Sequence, residues 1–207
     1  MARAALRAVE APAPPAADVV VRARILDAGA RLFADHGYEA VTLRQICEEA
    51  RVSKGAIYHY FESKEHLLSA IVVSSLEQLL AHVARHAQTG PTASDRLRGF
   101  IVSQAEFFEA RTAGFRVAMA RFASLGDAES QARIDSLRRA YVGSVRGLFA
   151  AGIASGEFRQ LDVRAATRMV LAILYWLARW YESGGRMTAV EIAAGHADIM
   201  LRGVCAR

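Results

Sequence analysis

The segment KGAIYHYF, residues 54–61, gathers side chains that can bind phosphate on one side of a short helix. On a helical wheel that side carries Lys54, Gly55, Tyr58 and His59. An ammonium, a phenol and an imidazole all donate hydrogen bonds, and a glycine lets a second backbone approach closely. The segment therefore predicts contact with a polyanion such as DNA.

Two short helices joined by a tight turn would position these groups. Thr42 can cap the first helix, and Gln45, three residues later, completes a capping box. After the turn, Ser53 can cap the second helix, whose opposite face carries Ile57 and Phe61 for a core. This arrangement is typical of a helix-turn-helix unit, in which the second helix enters the major groove.

Three further residues extend the predicted contact to the neighbouring helices. Thr42 and Lys64 each stand at the start of a helix, where free amide groups and the helix dipole favour an anion. Arg44 can reach a base edge or another phosphate. The alternative is that two such helices only pack together, in which case Tyr58 and His59 are ordinary surface residues.

Composition limits the other classes of function. The net charge is +5, but basic and acidic residues balance over residues 1–70, so the sum alone does not indicate DNA binding. Cys47 and Cys205 stand in no ligand-like cluster, so we expect no disulfide, metal site or cofactor. The longest apolar run, residues 169–178, is about half of what a membrane helix needs. With no recognisable signal peptide, we expect a soluble, cytoplasmic protein without a membrane partner.

Helical periodicity begins at Val21 and continues almost to the end, with no strand-like alternation. We predict an all-α protein of about nine helices. Its three predicted parts are a flexible N-terminal arm at 1–20, a three-helix helix-turn-helix DNA-binding domain at 21–68, and a helical ligand-binding and dimerisation domain at 69–207.

The predicted arm contains three prolines, Pro12, Pro14 and Pro15, which exclude a helix there. Arg3 and Arg7 in this arm can reach into a minor groove, as basic arms do. The alternative is a tail without function.

Residues 22–68 resemble the N-terminal domain of TetR-family repressors. The matching segments are RILDAGARLFADHGYEAVTLRQI, EEARVSKG and IYHYFESKEHLL. The resemblance implies an all-α homodimer that binds a palindromic double-stranded operator and releases it when a small-molecule effector enters the C-terminal domain. By position, it places the operator contacts on Thr42, Arg44, Lys54, Gly55, Tyr58, His59 and Lys64.

One residue departs from that family's pattern. Arg51 stands at the C-terminal end of the second helix, where the family usually has glycine. A left-handed backbone there costs a residue with a side chain about 1–2 kcal/mol. We expect a slightly different turn, the alternative being that an extra phosphate contact from Arg51 offsets the strain.

Two amphipathic helices near the C-terminus, at 162–183 and 188–203, suit pairing with their symmetry mates. In the resembled family such helices build a four-helix dimer interface. The alternative is an internal hairpin of a monomer. The predicted interface residues are Ala166, Val170, Ile173, Leu177, Ile192, His196, Ile199 and Met200.

Residues 155–203 resemble the C-terminal part of TetR-type regulators of fatty-acid and sterol degradation, several of which respond to acyl-CoA thioesters. The likeness rests on GEF, an apolar helix ending in YWLARWY, the GG pair, and an EIA helix closing with LRG. Tyr175 stands where those regulators often carry asparagine. The candidate effector residues, which as an aromatic stripe can equally be core, are Phe107, Phe108, Phe115, Met119, Phe122, Arg138, Tyr141, Tyr175 and Trp176.

The sequence leaves two alternative functions, an enzyme and a drug sensor. An enzyme is disfavoured because the sequence has no HExxH, GxGxxG, P-loop or GxSxG motif, and Cys47 lies on an inward helix face. A multidrug or antibiotic sensor on the same scaffold differs only in its effector. The charge of the pocket discriminates, because cationic drugs need acidic residues whereas the central helices are rich in arginine.

Overall fold

The computed structural model describes residues 16–120, 128–182 and 184–205. Within these ranges the chain is all-α, with an isolated bridge between Phe158 and Cys205 as its only β pairing. The nine helices described are α1 (Ala16–His36), α2 (Leu43–Ala50), α3 (Lys54–Tyr60), α4 (Lys64–Ala87), α5 (Ala93–Ala110), α6 (Thr112–Ala120), α7 (Ala128–Ala154), α8 (Val163–Trp180) and α9 (Ala189–Val204).

Helix α1 begins inside the segment that was predicted to be a flexible arm. Its first turn includes Asp18, whose carboxylate accepts a hydrogen bond of 2.9 Å from the Tyr60 hydroxyl. The predicted arm boundary at residue 20 is therefore wrong, because prolines that precede a helix do not prevent it from starting. The candidate minor-groove residues Arg3 and Arg7 lie outside the described residues.

Side-chain caps set the ends of the two helix-turn-helix elements where the sequence placed them. Thr42 and Gln45 form the predicted capping box at the start of α2. The Ser53 hydroxyl accepts from the amide of Ala56 at 3.1 Å and so caps α3. Because caps act within a few residues, these boundaries follow from local sequence.

Two apolar cores are joined by α4. Its N-terminal half, including Leu67 and Ile71, packs into a first core with α1, α2 and α3, and residues of α6 and α7 also enter that core. Its C-terminal half, including Leu79 and Val83, packs into a second core built from α5, α7, α8 and α9. Helix α4 therefore links the helix-turn-helix elements mechanically to the C-terminal helices.

By length and composition, α4 is also the one helix in the described part of the chain that could cross a membrane. Half of its most apolar stretch is buried inside the chain. The core helix of a soluble protein has the same properties.

The turn between α2 and α3 keeps a left-handed residue. Arg51 has φ 52° and ψ 51°, and its amide donates to the carbonyls of Cys47 and Glu48. The Arg24 guanidinium donates to the carbonyls of Ala50 and Arg51, the latter at 3.0 Å. The expectation of a different turn is therefore wrong, since the chain adopts the strained geometry and Arg24 stabilises the end of α2 through contacts within the chain.

We expect Arg51→Gly to raise the free energy of unfolding by about 1 kcal/mol, because glycine adopts this backbone without strain. The greater freedom of glycine in the unfolded chain keeps the gain modest. Urea denaturation measures the change. As a control, Arg24→Ala should lower stability, since two carbonyls at the end of α2 lose their donor. Loss of stability in Arg51→Gly would contradict this account.

The GEF segment joins α7 to α5 and α9. The Glu157 carboxylate accepts hydrogen bonds from the first amides of α5, those of Ala93 at 2.6 Å and Ser94 at 2.9 Å. The Ser94 side chain and these amides hold the pKa of Glu157 below its usual range. The Phe158 ring is buried against Gly152 of α7, and the Phe158 backbone forms an isolated antiparallel bridge with Cys205, just after α9. The segment therefore has a structural role in this fold.

Candidate DNA-binding surface and effector crevices

Helix α3 presents the predicted groups to solvent. Lys54, Gly55, Tyr58 and His59 are all exposed. The Lys54 ammonium lies 5.9 Å from the centre of the Tyr58 ring, which is 49% exposed. On the opposite face Ile57 is fully buried. The helix therefore has one face in the core and one available to a partner.

Contacts with neighbouring helices hold α3 in place. Tyr60 donates to Asp18 of α1, and its ring packs edge-on against His59 with centroids 4.8 Å apart. Phe61, just after the helix, is buried and has the Arg22 guanidinium 5.7 Å from its ring centre. A rigidly seated helix can present its outer side chains to DNA in one fixed geometry.

The two predicted contacts on α2 are exposed but have partners within the chain. The Thr42 hydroxyl donates to Gln45 Oε1 at 2.8 Å as part of the capping box. Arg44 forms an ion pair of 2.9 Å with Glu48, one turn later. Exposed pairs of this kind contribute little stability, so phosphate can compete for Arg44.

Lys64 is placed differently from the other predicted contacts. Its half-buried ammonium donates to the carbonyls of Tyr38 and Val41 at 2.9 and 3.0 Å, with that of Glu39 at 3.5 Å. It also lies 4.3 Å from the centre of the Tyr38 ring. An ammonium has three donors, so these contacts already occupy them. Lys64 therefore fastens the α1–α2 loop to α4, a role that no sequence motif indicated, and its phosphate contact stays a prediction.

Four of the predicted dimer residues are buried within their own chain. Ala166, Val170 and Leu177 of α8 and Met200 of α9 face the second core and are at most 9% exposed. They have no surface to offer a second chain, so these four assignments were wrong. Helix α8 has two apolar faces, and the more regular one turned out to face inward.

The other faces of α8 and α9 carry matching stripes on the surface. Each stripe has residues at i, i+3, i+4 and i+7. Met169 and Trp176 in the α8 stripe are 41% and 59% exposed, and Ile199 in the α9 stripe is 74% exposed. Ile173 of α8 and His196 of α9 line one small gap, so the two stripes lie side by side. We call this surface the α8–α9 face; it consists of Met169, Ala172, Ile173, Trp176, Ile192, Gly195, His196 and Ile199.

The predicted effector residues that the structure describes do not surround one cavity. Phe107, Phe108 and Phe115 are buried together, with ring centroids of Phe108 and Phe115 5.5 Å apart, and Tyr181 packs on Phe108 at 5.7 Å. Trp176 instead belongs to the α8–α9 face. The three phenylalanine rings therefore fill the core between α5, α6 and α8, as expected if the aromatic stripe is part of the core.

Tyr141 and Arg138 lie on α7, and Tyr141 packs against the same core. The Tyr141 hydroxyl donates to the Gln104 amide oxygen of α5, and burial raises the pKa of the phenol. Arg138, one turn earlier, is half-buried. The side chain of Met119 and all of Phe122 lie outside the described residues.

Two crevices flank α6, and α1 forms a wall of both. The first, of about 580 Å³, lies between α1, α4 and the α5–α6 turn, and Phe107 and Phe115 reach it. The second, of about 780 Å³, lies between α1, α6 and α8. A molecule that filled either crevice would contact α1, on which the helix-turn-helix elements pack.

The second crevice combines aromatic and cationic groups. Tyr175 and Trp180 of α8 supply ring surface, and Arg116 of α6 and Arg179 of α8 supply two guanidinium groups. Glu182 is the one acidic residue among the described lining. Of the predicted effector residues that the structure describes, only Tyr175 lies here. Neither arginine was among the predicted effector residues, because the distance between α6 and α8 is a property of the fold.

The described residues give no support to catalysis by Cys47. Burial raises the pKa of its thiol, and the charge of Glu48 adds to the effect. A reactive cysteine needs the opposite shift, because the thiolate is the nucleophile.

Comparisons with known proteins agree with this architecture. Residues 25–71 match the model of bacterial regulatory proteins of the tetR family, and residues 90–204 match the tetracyclin repressor-like C-terminal domain. The chain is 27% identical over 199 residues to the HTH-type transcriptional repressor KstR2 of Mycolicibacterium smegmatis, covering 94% of this chain and 95% of that protein.

Solved structures show the same similarity. The TetR-family regulator PfmR from Thermus thermophilus is 33% identical with a TM-score of 0.80, covering 86% of this chain and 97% of that one. AibR, solved in complex with isovaleryl coenzyme A and operator DNA, is 26% identical with a TM-score of 0.77, covering 86% and 97%. This chain therefore belongs to the TetR family, and it is a transcriptional regulator rather than an enzyme.

Proposed function

We propose that the chain is an effector-controlled repressor that binds a palindromic operator as a homodimer. The observation that carries this proposal is the outer face of α3, where exposed donors of Lys54, Tyr58 and His59 surround Gly55. That face suits the sugar-phosphate backbone and base edges of a major groove. Thr42 and Arg44 extend it from α2.

The α8–α9 face supports a second copy of the chain as the partner. A symmetric dimer buries the same surface twice, which suits two side-by-side stripes with the same spacing. Gly195 leaves open space on α9, so another helix can approach closely. Two copies also supply the two reading helices that a palindrome requires.

We propose an acyl-CoA thioester as the effector, bound in the crevice between α1, α6 and α8. AibR, a relative whose structure contains isovaleryl coenzyme A, makes this chemical class the first to test. In this chain Arg116 and Arg179 suit the phosphates of the head group, and Tyr175 and Trp180 suit its apolar or stacking parts. Two arginines against one glutamate disfavour a cationic drug.

The crevice offers a route from effector to operator. Phe33 and Ala34 of α1 form one wall and Val117 of α6 lies in another. An effector that binds a wider crevice more tightly shifts the population towards a conformation in which α1 is placed differently. An effector with equal affinity for both conformations would not change operator binding. Loss of operator affinity is the expected direction.

We expect Lys54→Ala and Tyr58→Ala each to weaken operator binding by about tenfold or more, because each removes a donor to a charged group from both copies. The operator is first selected from a random duplex pool with the full chain, and affinity is then measured by fluorescence anisotropy. For Lys54→Ala the negative slope of log affinity against log salt concentration should become shallower by about 1.8, because each of the two copies loses one phosphate contact.

Arg146→Ala is the matched control, since it removes one exposed positive charge from α7. Its operator affinity should stay close to that of the parent chain. Equal losses of operator affinity in Arg146→Ala and Lys54→Ala would mean that Lys54 acts only through general charge, and would contradict the proposal.

The effector is tested on the same operator complex by adding acyl-CoA thioesters of increasing chain length, with free CoA as the control. Arg179→Ala should bind operator normally and need about tenfold more thioester for release. Release by free fatty acid but not by thioester would contradict the assignment of the two arginines.

A further inference from the structure

A cluster outside the DNA-binding surface and both crevices brings together three groups that can bind a metal. His82 and His86 lie one turn apart on α4, and Glu106 faces them from α5. Glu106 Oε2 lies 3.7 Å from His82 Nε2 and 4.0 Å from His86 Nε2. One ligand atom from each residue falls within 4.8 Å of the other two.

The tautomer of His86 leaves the correct nitrogen available. Its Nδ1 lies 3.0 Å from the carbonyl oxygen of His82. A carbonyl can only accept, so Nδ1 carries the proton and Nε2 keeps its lone pair. Metal-binding histidines are typically oriented by this kind of second hydrogen bond.

The Nε2 atom of His82 is buried and has no hydrogen-bond partner among the described residues. An unpaired buried polar atom costs about 1–3 kcal/mol, so a native structure normally gives it a partner.

We propose that His82 Nε2, His86 Nε2 and the Glu106 carboxylate bind a divalent first-row transition metal, Zn²⁺ above all, with water as the fourth ligand. Two imidazoles and one carboxylate are ligands that Zn²⁺ accepts, whereas Mg²⁺ and Ca²⁺ require oxygen. In a tetrahedral site with bonds of about 2.0–2.1 Å the ligand atoms lie about 3.3 Å apart. The observed separations therefore close with small rotations of the side chains.

Arg85 and Phe107 adjoin the proposed site, and metal binding there would break one contact and link two helices. Arg85 lies 3.4 Å from His82 Nδ1, a long contact that this exposed side chain gives up when Nδ1 carries the proton. The Phe107 ring, 5.7 Å from that of His82, shields one side of the site from water. A bound metal ties the C-terminal end of α4 to α5, and α4 also runs into the core of the helix-turn-helix domain.

The test uses the full, untagged chain after removal of metals with a chelator. Equilibrium dialysis against Zn²⁺ should give one ion per chain, and Co²⁺ should produce the visible absorption of a four- or five-coordinate site. Zn²⁺, but not Mg²⁺, should raise the melting temperature, since a ligand that binds only the folded state stabilises it.

His86→Gln and Glu106→Gln should each lower Zn²⁺ affinity by about tenfold or more, because each removes one of three protein ligands. His36→Gln, which removes an exposed histidine from the end of α1, is the matched control and should bind like the parent. Circular dichroism checks that the variants fold. Absence of Zn²⁺ binding in the parent, or equal binding in parent, His86→Gln and Glu106→Gln, would overturn the proposal without affecting the repressor assignment.

Discussion

Trp176→Glu is expected to convert the proposed homodimer into a monomer and to lower operator affinity by about 100-fold or more. Trp176 is 59% exposed in the chain and lies at the end of the α8 stripe. A dimer that buries this position would have to desolvate two unpaired carboxylates, which costs several kcal/mol. A monomer binds one half-site at a time, so it loses the gain in affinity that comes from linking two DNA-binding domains.

Light scattering after gel filtration measures the mass, and anisotropy on the selected operator measures the affinity. Ile199→Glu, on the α9 stripe, should give the same two results. Met187→Glu is the control, because Met187 is also exposed and apolar but precedes α9. A Trp176→Glu chain that stays dimeric would move the interface elsewhere, and the α8–α9 face would lose its proposed role.

The helix-turn-helix part could be predicted from sequence because its determinants are local. Thr42 with Gln45, and Ser53 with Ala56, act across three residues and fix where α2 and α3 begin. The alternation of faces on α3 then follows from helical geometry alone. The class of fold and the outer face of α3 needed no information about distant contacts.

Arg24 and Lys64 make contacts that the local sequence does not predict. Both reach carbonyls more than twenty residues away, at the end of α2 and in the α1–α2 loop. Nothing in their neighbours distinguishes an arginine or lysine that caps carbonyls from one that binds phosphate. The left-handed Arg51 was misjudged for this reason, since its strain is accommodated by a residue from α1.

Apolar helices are harder to interpret because periodicity identifies faces without saying what covers them. Val170 and Trp176 of α8 are both apolar at helical spacing, yet the first is buried in its own chain and the second is exposed. The metal-binding cluster has the same difficulty. The spacing of His82 and His86 is visible in the sequence, but Glu106 joins them only when α5 packs on α4.

Gly152→Ala is expected to lower the free energy of unfolding by about 2–3 kcal/mol, although alanine is the better helix former. Gly152 lies near the end of α7, and the ring of Phe158 packs directly on it; a Cβ would lie 2.7 Å from Cγ of that ring and closer still to its edge. Phe158 is 2% exposed and cannot move outward without losing its place in the second core. Overpacking therefore outweighs the gain of about 1 kcal/mol in helix propensity.

Gly147→Ala, five residues earlier on the same helix, is a control of opposite sign. A Cβ at Gly147 meets nothing within 4 Å, so alanine there should raise stability by about 0.5–1 kcal/mol. The cause is then isolated by combining Gly152→Ala with Phe158→Leu, which removes the ring. If the two substitutions together cost less than the sum of their separate effects, the clash with Phe158 accounts for the loss. Equal stability of Gly152→Ala and Gly147→Ala would mean that the GEF segment is not packed tightly enough to define the end of α7.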